Sequence, residues 1–255
     1  MFLVSFIGKI TLNMLSETGR SAIFLFNTLS NGFTRPFYFK AVFIQIIRIG
    51  YNSLPVIGLT AFFTGGALAL QIYVGSSRFN AESMVASIVA LGITRELGPV
   101  IAGLMLAGRV SASIAAEIAT MRVTEQIDAL EVMGINSVNY LVFPKTVALL
   151  LYPFVISIAM FLGIIGGMAA CVFGGYSTFE DYVTGVQMDF MPFHMVYAFI
   201  KTLVFAFLLA TIPSFHGYYM KGGALEVGKA STTAFVWTSV AIILLNYILT
   251  QMLLS

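Results

Sequence analysis

Three long stretches of this chain contain no charged residue, and they limit what it can fold into. The stretches run from Ile49 to Ser77, from Thr146 to Phe179 and from Ala230 to Ser255. A helix needs about 20 apolar residues to cross a hydrocarbon layer about 30 Å thick. Inside that layer every backbone amide must find its hydrogen-bond partner within the protein, which a helix provides. Each stretch is therefore predicted to form one membrane-spanning helix.

The composition excludes a water-soluble fold. Of the 255 residues, 59% are hydrophobic and only 9% are charged. Soluble domains have about 45 to 50% apolar and about 25% charged residues. Too few polar side chains are present to cover a surface that faces water. The sequence therefore predicts an all-α integral membrane protein.

Two further predicted spans carry charged residues. One contains Arg95 and Glu96, and the other contains Lys201. The five predicted spans cover residues 49–77, 84–118, 146–175, 195–215 and 231–254. No internal repeat is visible, so residues 1–255 are predicted to form a single membrane domain. A transporter of this size without inverted halves is expected to work as an oligomer.

Residues 1–40 are predicted to lie at the membrane surface rather than to cross it. Charged residues interrupt this segment at Lys9, Glu17, Arg20 and Arg35. Apolar residues recur at helical spacing between them, at Leu3, Phe6, Ile7, Ile10 and Met14. Such a pattern is typical of an amphipathic helix in the headgroup plane. The first positive charge follows the apolar residues, unlike in a signal peptide, so the segment is expected to stay on the chain.

The distribution of charged residues predicts the orientation. Basic residues occur in the N-terminal segment and in two connections, at Arg122 and Lys145 and at Lys221 and Lys229. The connection between the third and fourth spans has only acidic residues, Glu180, Asp181 and Asp189. Cytoplasmic loops are enriched in Lys and Arg. The N-terminus is therefore expected on the cytoplasmic side and the C-terminus on the opposite side.

Ionised side chains within spans need a reason to be there, because each costs about 2.5 to 3.5 kcal/mol at the bilayer centre. Arg95 and Glu96 are adjacent, so they point about 100° apart on a helix and do not form an i,i+4 pair. Two interpretations stay open. These residues and Lys201 form a polar site for an amphiphilic substrate, or a Glu96–Lys201 salt bridge only fixes helix packing. Gly98 and Pro99 follow directly and predict a kink or break.

Small residues form two stripes at helical spacing. The first contains Gly103, Ala107, Ser111, Ala115 and Ala119, and the second contains Gly163 and Gly167. Such stripes let helices approach closely in membranes. Spacing alone does not decide whether the contacts lie within one chain or between two copies.

Residues 122–134 are predicted to form a short helix outside the membrane. Val123, Ile127 and Leu130 share one face, and Glu125 and Asp128 share another. Gly134 is the expected C-terminal cap. A helix with an apolar and an acidic face suits docking into a groove of another protein. The alternative is a solvated surface helix.

Other classes of function find little support in the sequence. The 13 basic and 11 acidic residues form no basic run, so no nucleic-acid partner is expected. The lone Cys171 excludes an internal disulfide, and His194 and His216 are expected in separate loops at the membrane edge. Neither an H-E-x-x-H nor a G-x-S-x-G motif occurs, so no hydrolase site is visible.

Several segments together resemble the MlaE/YrbE permease family. They are Thr94–Val100, Leu106–Val110, Ala116–Ile118, Met121–Gly134, Ile200–Ala206 and His216–Tyr218. Members of this family are membrane subunits of a phospholipid ABC transporter in Gram-negative bacteria and plastids. The resemblance extends over nearly the whole chain.

The resemblance implies a homodimeric permease of the bacterial inner membrane, with an interfacial helix and five spans. The implied partners are an MlaF-like ABC ATPase, an MlaB-like accessory subunit of STAS type and a periplasmic MlaD-like ring of MCE domains. Phospholipid would pass between the inner membrane and this ring, which maintains the lipid asymmetry of the outer membrane. ATP and Mg would be bound by the ATPase, so the chain itself is expected to hold no cofactor and not to be an enzyme.

The resemblance also implies roles for individual residues. The lipid-binding cavity would be lined by Leu68, Phe79, Arg95, Glu96 and Lys201. The ATPase would contact a coupling helix at Glu125, Gln126, Asp128 and Glu131. Two alternatives stay open: an ion-coupled secondary transporter in which Glu96 titrates, and a structural membrane anchor for the lipid-binding ring.

Overall fold

The computed structural model describes residues 19–21, 23, 24, 28, 39–79 and 84–254, and these ranges contain helices and no strand. The helices in chain order are α1 (Phe39–Ser76), α2 (Val85–Val123), α3 (Gln126–Val132), α4 (Ser137–Phe173), α5 (Phe179–Met188), α6 (Pro192–Tyr218) and α7 (Ala224–Leu254). Five of them, α1, α2, α4, α6 and α7, are long and apolar enough to cross a membrane. The predicted all-α membrane fold with five spans is confirmed.

The helices α1 and α4 begin earlier than predicted, because Arg48 and Lys145 both lie inside helices. Glu117 of α2 pairs with both of them, at 2.8 Å from Nη1 of Arg48 and 3.0 Å from Nζ of Lys145. Lys145 is 3% exposed, so its expected position in a loop is wrong. A prediction from charge-free runs ends each span at the first charged residue. The helix itself continues past Arg48 and Lys145 because both are paired with Glu117.

Glycines bring α1 and α4 into backbone contact. A Cβ atom on Gly65 would lie 1.9 Å from the carbonyl oxygen of Gly163. A Cβ atom on Gly166 would lie 2.0 Å from that of Phe62. Without a strong hydrophobic force between helices in lipid, such close van der Waals packing supplies much of their association. The stripe that contains Gly163 therefore packs within the chain.

The stripe of small residues on α2 also packs within the chain. Ala107, Ser111, Ala115 and Ala119 are all fully buried. A Cβ atom on Gly217 of α6 would lie 2.7 Å from the carbonyl oxygen of Ala115. Helices α6 and α7 both pack on this part of α2. The structure thus answers a question that residue spacing left open.

Helix α2 is not broken at Gly98 and Pro99, contrary to one of the two expectations for this site. It contains a π turn over Ile93–Leu97, directly before these residues, and a second π turn over Ala107–Ser111. Proline lacks the N–H that would bond four residues back. A wider turn absorbs this mismatch while the helix continues.

A short helix, α5, lies between α4 and α6 and was not predicted. Thr178 caps it, because its Oγ1 accepts a hydrogen bond of 3.2 Å from the amide of Asp181. Tyr182 is buried, and burial raises the pKa of its phenol well above the usual value. The hydroxyl of Ser87 in α2 donates to the carboxylate of Asp189, just after α5. These contacts hold α5 across the end of the bundle.

Most of the predicted interfacial segment lies outside the described residues, so the amphipathic helix stays a prediction. Phe24 is described, and it is 1% exposed. Its ring lies 5.8 Å from Phe215, 5.7 Å from Tyr218 and 5.9 Å from Tyr219. At least this residue therefore packs against the C-terminal end of α6.

Candidate functional site

Glu96 is the centre of a polar cluster between α2, α6 and α7. Its Oε1 lies 2.8 Å from Nζ of Lys201, 2.7 Å from the hydroxyl of Tyr197 and 3.1 Å from that of Thr250. Its Oε2 lies 2.9 Å from the same ammonium and 3.1 Å from the side-chain amide of Asn246. Both carboxylate oxygens thus accept hydrogen bonds, as a charge within the membrane requires.

Lys201 is enclosed by this cluster. Its side chain is 0% exposed, while that of Glu96 is 36% exposed. Besides Glu96, the ammonium contacts Oγ1 of Thr250 at 2.8 Å and lies 4.4 Å from the centre of the Tyr197 ring. A cation over an aromatic face gains further electrostatic stabilisation. A ligand outside the cluster would therefore contact Glu96, which is partly exposed, rather than the enclosed Lys201.

Pro99 explains a further contact of Lys201. Because proline has no N–H, it donates no hydrogen bond to the carbonyl of Arg95, four residues earlier. That carbonyl oxygen lies 3.4 Å from Nζ of Lys201 and accepts a hydrogen bond from it. The proline next to the charged residues therefore frees a backbone acceptor that helps to fix the lysine.

Arg95 points to a different partner, His194 at the start of α6. Its Nε donates to Nδ1 of the imidazole at 3.3 Å, and its Nη2 lies 2.9 Å from Nε2. Among the described residues no carboxylate lies within ion-pair distance of Arg95. The Glu96–Lys201 pair is neutral, so the cluster with Arg95 carries one uncompensated positive charge. A neutral imidazole as the partner leaves that charge in place.

The other residues expected to line the cavity differ in what the structure describes. Leu68 of α1 is partly buried, and its Cδ2 lies 3.6 Å from where a Cβ on Gly92 would stand. Gly92 is three residues before Arg95, so Leu68 packs against the turn of α2 that precedes the charged residues, and its cavity role stays a prediction. The side chain of Phe79 lies outside the described part of the structure. Its cavity role stays a prediction.

The salt bridge that the sequence offered as an alternative is present. Its presence does not by itself separate a packing role from a lipid-binding role, because Glu96 stays partly exposed and Arg95, also partly exposed, lies outside the pair. The lipid-contact roles of Arg95, Glu96 and Lys201 therefore stay predictions.

Three members of the cluster were missed in the sequence. Tyr197 lies one helical turn before Lys201, and Asn246 and Thr250 are one turn apart in α7. Polar pairs four residues apart in an apolar span are the signal that could have found them. His194 was expected in a loop, which is wrong: α6 begins at Pro192, an ordinary first-turn position for proline, and contains both His194 and His216.

The predicted coupling helix is shorter than residues 122–134. Helix α2 continues to Val123, and α3 begins at Gln126 after Glu125, whose φ of 59° is left-handed. Left-handed backbone ends a right-handed helix, so the predicted start at Arg122 is wrong. The cap is confirmed: Gly134 has φ 74°, and the next amide, that of Ile135, donates to the carbonyl of Leu130 at 3.0 Å.

The two faces of α3 differ as expected, but Val123, which was predicted on the apolar face, lies in α2 and is exposed. Ile127 is fully buried against the bundle. Glu125 and Gln126 are exposed, and Nε2 of Gln126 donates to Oγ1 of Thr124 at 2.9 Å. Two apolar side chains at the end of the helix are also exposed, Val132 at 89% and Met133 at 63%. Such large exposed apolar side chains beside acidic groups are typical of a protein interface.

The remaining acidic residues of α3 have partners within the chain. Asp128 forms an exposed ion pair of 2.8 Å with Arg122. Oε1 of Glu131 accepts hydrogen bonds from the hydroxyls of Ser137, at 3.0 Å, and of Tyr218, at 2.9 Å. Glu131 thus connects α3 to the start of α4 and to the end of α6. These contacts lie within the chain and do not test docking to another protein, so the ATPase contacts at all four positions stay predictions.

The described residues bring no three His, Cys, Asp or Glu side chains into an arrangement that could hold a metal ion. What the structure offers instead is a charged cluster within membrane-length helices and an extramembrane helix with an exposed edge. These features define a polytopic membrane protein with a polar cluster between its spans.

The chain belongs to the MlaE permease family. The family model described as Permease MlaE matches residues 42–252. This match covers α1 from its first turn through almost all of α7, and so includes the Glu96 cluster and α3. The resemblance seen in the sequence is confirmed.

Relatives from bacteria and a plant align along most of the chain. A probable ABC transporter permease protein of Rickettsia bellii is 43% identical over 247 residues, which cover 96% of this chain and 95% of the relative. The intermembrane phospholipid transport system permease protein MlaE of Haemophilus influenzae is 30% identical over 252 residues, 98% and 97% of the two chains. The chloroplastic protein TRIGALACTOSYLDIACYLGLYCEROL 1 of Arabidopsis thaliana is 32% identical over 217 residues, 81% of this chain and 59% of the relative.

Proposed function

We propose that this permease is the membrane subunit of an ATP-driven phospholipid transporter of the bacterial inner membrane. It would act as a homodimer, with its N-terminus cytoplasmic and its C-terminus periplasmic. Its proposed partners are an MlaF-like ATPase with an MlaB-like accessory subunit, and an MlaD-like MCE ring that exchanges lipid with it in the periplasm. The names of the Rickettsia and Haemophilus relatives support this proposal.

The uncompensated charge of Arg95 carries the proposal for a phospholipid substrate. Within membrane-length helices, a cation without a carboxylate partner favours an anionic ligand. A guanidinium matches the geometry of phosphate oxygens and binds them in a bidentate manner. The apolar side chain of Leu68 packs on the turn of α2 just before Arg95 and suits acyl chains. A phospholipid combines both chemical features.

The hydrogen bonding of Glu96 disfavours the ion-coupled alternative. A titrating carboxylate must exchange its proton during the cycle, whereas both oxygens of Glu96 are bonded to Lys201. Protonation would have to break this pair. The pair is better suited to hold the cluster in one arrangement than to carry protons.

Phospholipid transfer by the reconstituted complex tests the proposal. We expect transfer from labelled phosphatidylglycerol vesicles to the MCE ring, or in the reverse direction, to require ATP and to persist after the proton gradient is dissipated. Transfer that continues without ATP but stops with the gradient would establish the ion-coupled alternative. A complex that assembles but transfers no lipid under either condition would favour the structural anchor.

Reversing the charge of α3 is expected to release the ATPase. In the double variant Glu125→Lys and Asp128→Lys, two acidic groups at the exposed edge become basic. A partner surface that is complementary to acidic groups would then face like charges, and such repulsion costs several kcal/mol. We expect at least about a tenfold loss of ATPase in co-purification, with normal membrane insertion. The matched control is Glu226→Lys, a partly exposed acidic residue at the start of α7 that pairs with Lys229 as Asp128 pairs with Arg122. Full retention of the ATPase by the double variant would contradict docking at α3.

A further inference from the structure

A polar pocket lies between the start of α1 and the second half of α2. Its volume is about 250 Å³, and Arg48, Asn52, Ser53, Arg109 and Glu117 are among the residues that line it. This pocket is distinct from the Glu96 cluster. Arg109 follows Glu96 by 13 residues in α2, which corresponds to roughly 20 Å at 1.5 Å per residue. It lies at the end of the bundle where α3 and the start of α4 are found.

The pocket has an excess of positive charge. Glu117 is shared between Arg48 and Lys145, so these three residues together carry one net positive charge. Arg109 adds a second, since in the described ranges its Nη1 bonds only to the carbonyl oxygen of Asn52, at 2.6 Å. An anion would balance the pocket, and two guanidinium groups favour phosphate oxygens.

A buried hydroxyl in the same pocket has no partner. Ser53 is 1% exposed, and its Oγ makes no hydrogen bond in the part of the chain that the structure describes. Buried polar groups are nearly always hydrogen-bonded, and one left unpaired costs about 1 to 3 kcal/mol. A ligand with acceptor oxygens beside Arg109 would satisfy this hydroxyl after a rotation about χ1 of Ser53, because its Oγ is closed off from the pocket. The unpaired serine is thus independent of the charge argument.

An apolar cavity of about 320 Å³ adjoins the polar pocket, and Ile49 lines both. Its other walls include Leu54 of α1, Leu106 of α2 and Val155 of α4. Gly50 also lines it, and a Cβ atom there would meet nothing within 4 Å. A volume of this size lies at the lower end of the range for small-molecule sites, about 300 to 1,000 Å³.

We propose that these two cavities form a binding site for one phospholipid, drawn from the leaflet on the α3 side of the membrane. The phosphodiester lies against Arg48, Arg109 and Ser53, and an acyl chain occupies the apolar cavity beyond Ile49. The polar and apolar parts adjoin each other as the two parts of an amphiphile do. This inference rests on the proposed function for the nature of the lipid, and it adds a site about 20 Å along α2 from Glu96.

The test uses native mass spectrometry to count the phospholipids that the purified chain retains in mixed micelles of detergent and phosphatidylglycerol. Neither the ATPase nor ATP is present. Gly50→Leu adds a side chain at the wall of the apolar cavity, where a Cβ meets nothing within 4 Å, and Arg109→Gln removes the positive charge of Arg109. Gly228→Leu and Arg78→Gln are the matched controls, since a Cβ on Gly228 also meets nothing within 4 Å and Arg78 is exposed at the other end of the bundle.

We expect the chain and both controls to retain one more phosphatidylglycerol than Gly50→Leu. Arg109→Gln is expected to weaken retention by about tenfold, the effect of one lost charged contact. Equal lipid counts in all variants would overturn the site. Loss of the additional lipid on addition of inorganic phosphate would also overturn it, because the pocket would then bind a free anion. If Gly50→Leu does not fold, Arg109→Gln alone decides.

This readout separates the site from the proposed function. Loss of one lipid in Gly50→Leu would support the site even if the complex showed no ATP-driven transfer. Conversely, ATP-driven transfer by a complex whose lipid count is insensitive to both substitutions would leave the proposed function standing and remove this site.

Discussion

Lys201→Met is expected to reduce phospholipid transfer by at least about tenfold. The substitution leaves the carboxylate of Glu96 without the ammonium that contacts both of its oxygens. Breaking a fully buried pair costs about 3 to 5 kcal/mol. Because 36% of the Glu96 side chain is exposed, we expect a smaller loss of stability, about 2 kcal/mol. Thermal unfolding and ATP-dependent transfer are measured on the same preparation.

A double variant separates packing from lipid handling. Combining Lys201→Met with Glu96→Gln removes both charges, and replacing a buried pair by neutral groups is often close to neutral for stability. We expect the double variant to regain the unfolding temperature but not the transfer rate. Recovery of both would show that the salt bridge only fixes helix packing. Wild-type transfer by Lys201→Met alone would contradict any role of the cluster in transport.

Gly166→Ala is expected to separate α1 from α4. The added methyl group would lie 2.0 Å from the carbonyl oxygen of Phe62, so one backbone must move by more than 1 Å. Overpacking a well-filled interior costs about 1 to 3 kcal/mol, and here the obstacle is backbone rather than a flexible side chain. We expect a loss near the upper end, about 3 kcal/mol, measured as unfolding of the purified chain in detergent.

The control for this substitution is Gly75→Ala in α1. A Cβ at Gly75 meets nothing within 4 Å, and alanine has the higher helix propensity. We therefore expect Gly75→Ala to leave the unfolding temperature unchanged or to raise it slightly. Equal unfolding temperatures for the two variants would mean that α1 and α4 do not approach as closely as described.

The charged residues that stand out in the sequence do form the centre of the polar cluster, although the sequence indicates only part of their surroundings. Arg95, Glu96 and Lys201 stand out because an apolar span makes any charge conspicuous. Tyr197, Asn246 and Thr250 do not stand out, since hydroxyls and amides are common in spans. Which of them bonds to Glu96 depends on how α6 and α7 are rotated about their axes. Residue spacing within one helix carries no information about that rotation.

The ends of the helices could likewise be predicted only in part from the sequence. The sequence predicted the number of spans, but Arg48 and Lys145 appeared to mark their ends. Both lie in helices because Glu117, 69 residues from one and 28 from the other, forms an ion pair with each of them. Similarly, the left-handed backbone at Glu125 shortened the predicted coupling helix, at a residue type that rarely adopts this conformation.

The amino-acid sequence by itself determined that this protein is helical, has five helices long and apolar enough to cross a membrane, and holds Arg95, Glu96 and Lys201 within two of them. These properties follow from local hydropathy, because the transfer of each segment into lipid depends mainly on its own residues. Only the tertiary structure decided that Glu96 pairs with Lys201, 105 residues away, that both stripes of small residues pack within the chain, and that two cavities adjoin at Ile49. Such contacts depend on how separate helices are oriented against one another, and that orientation is set by packing across the whole bundle.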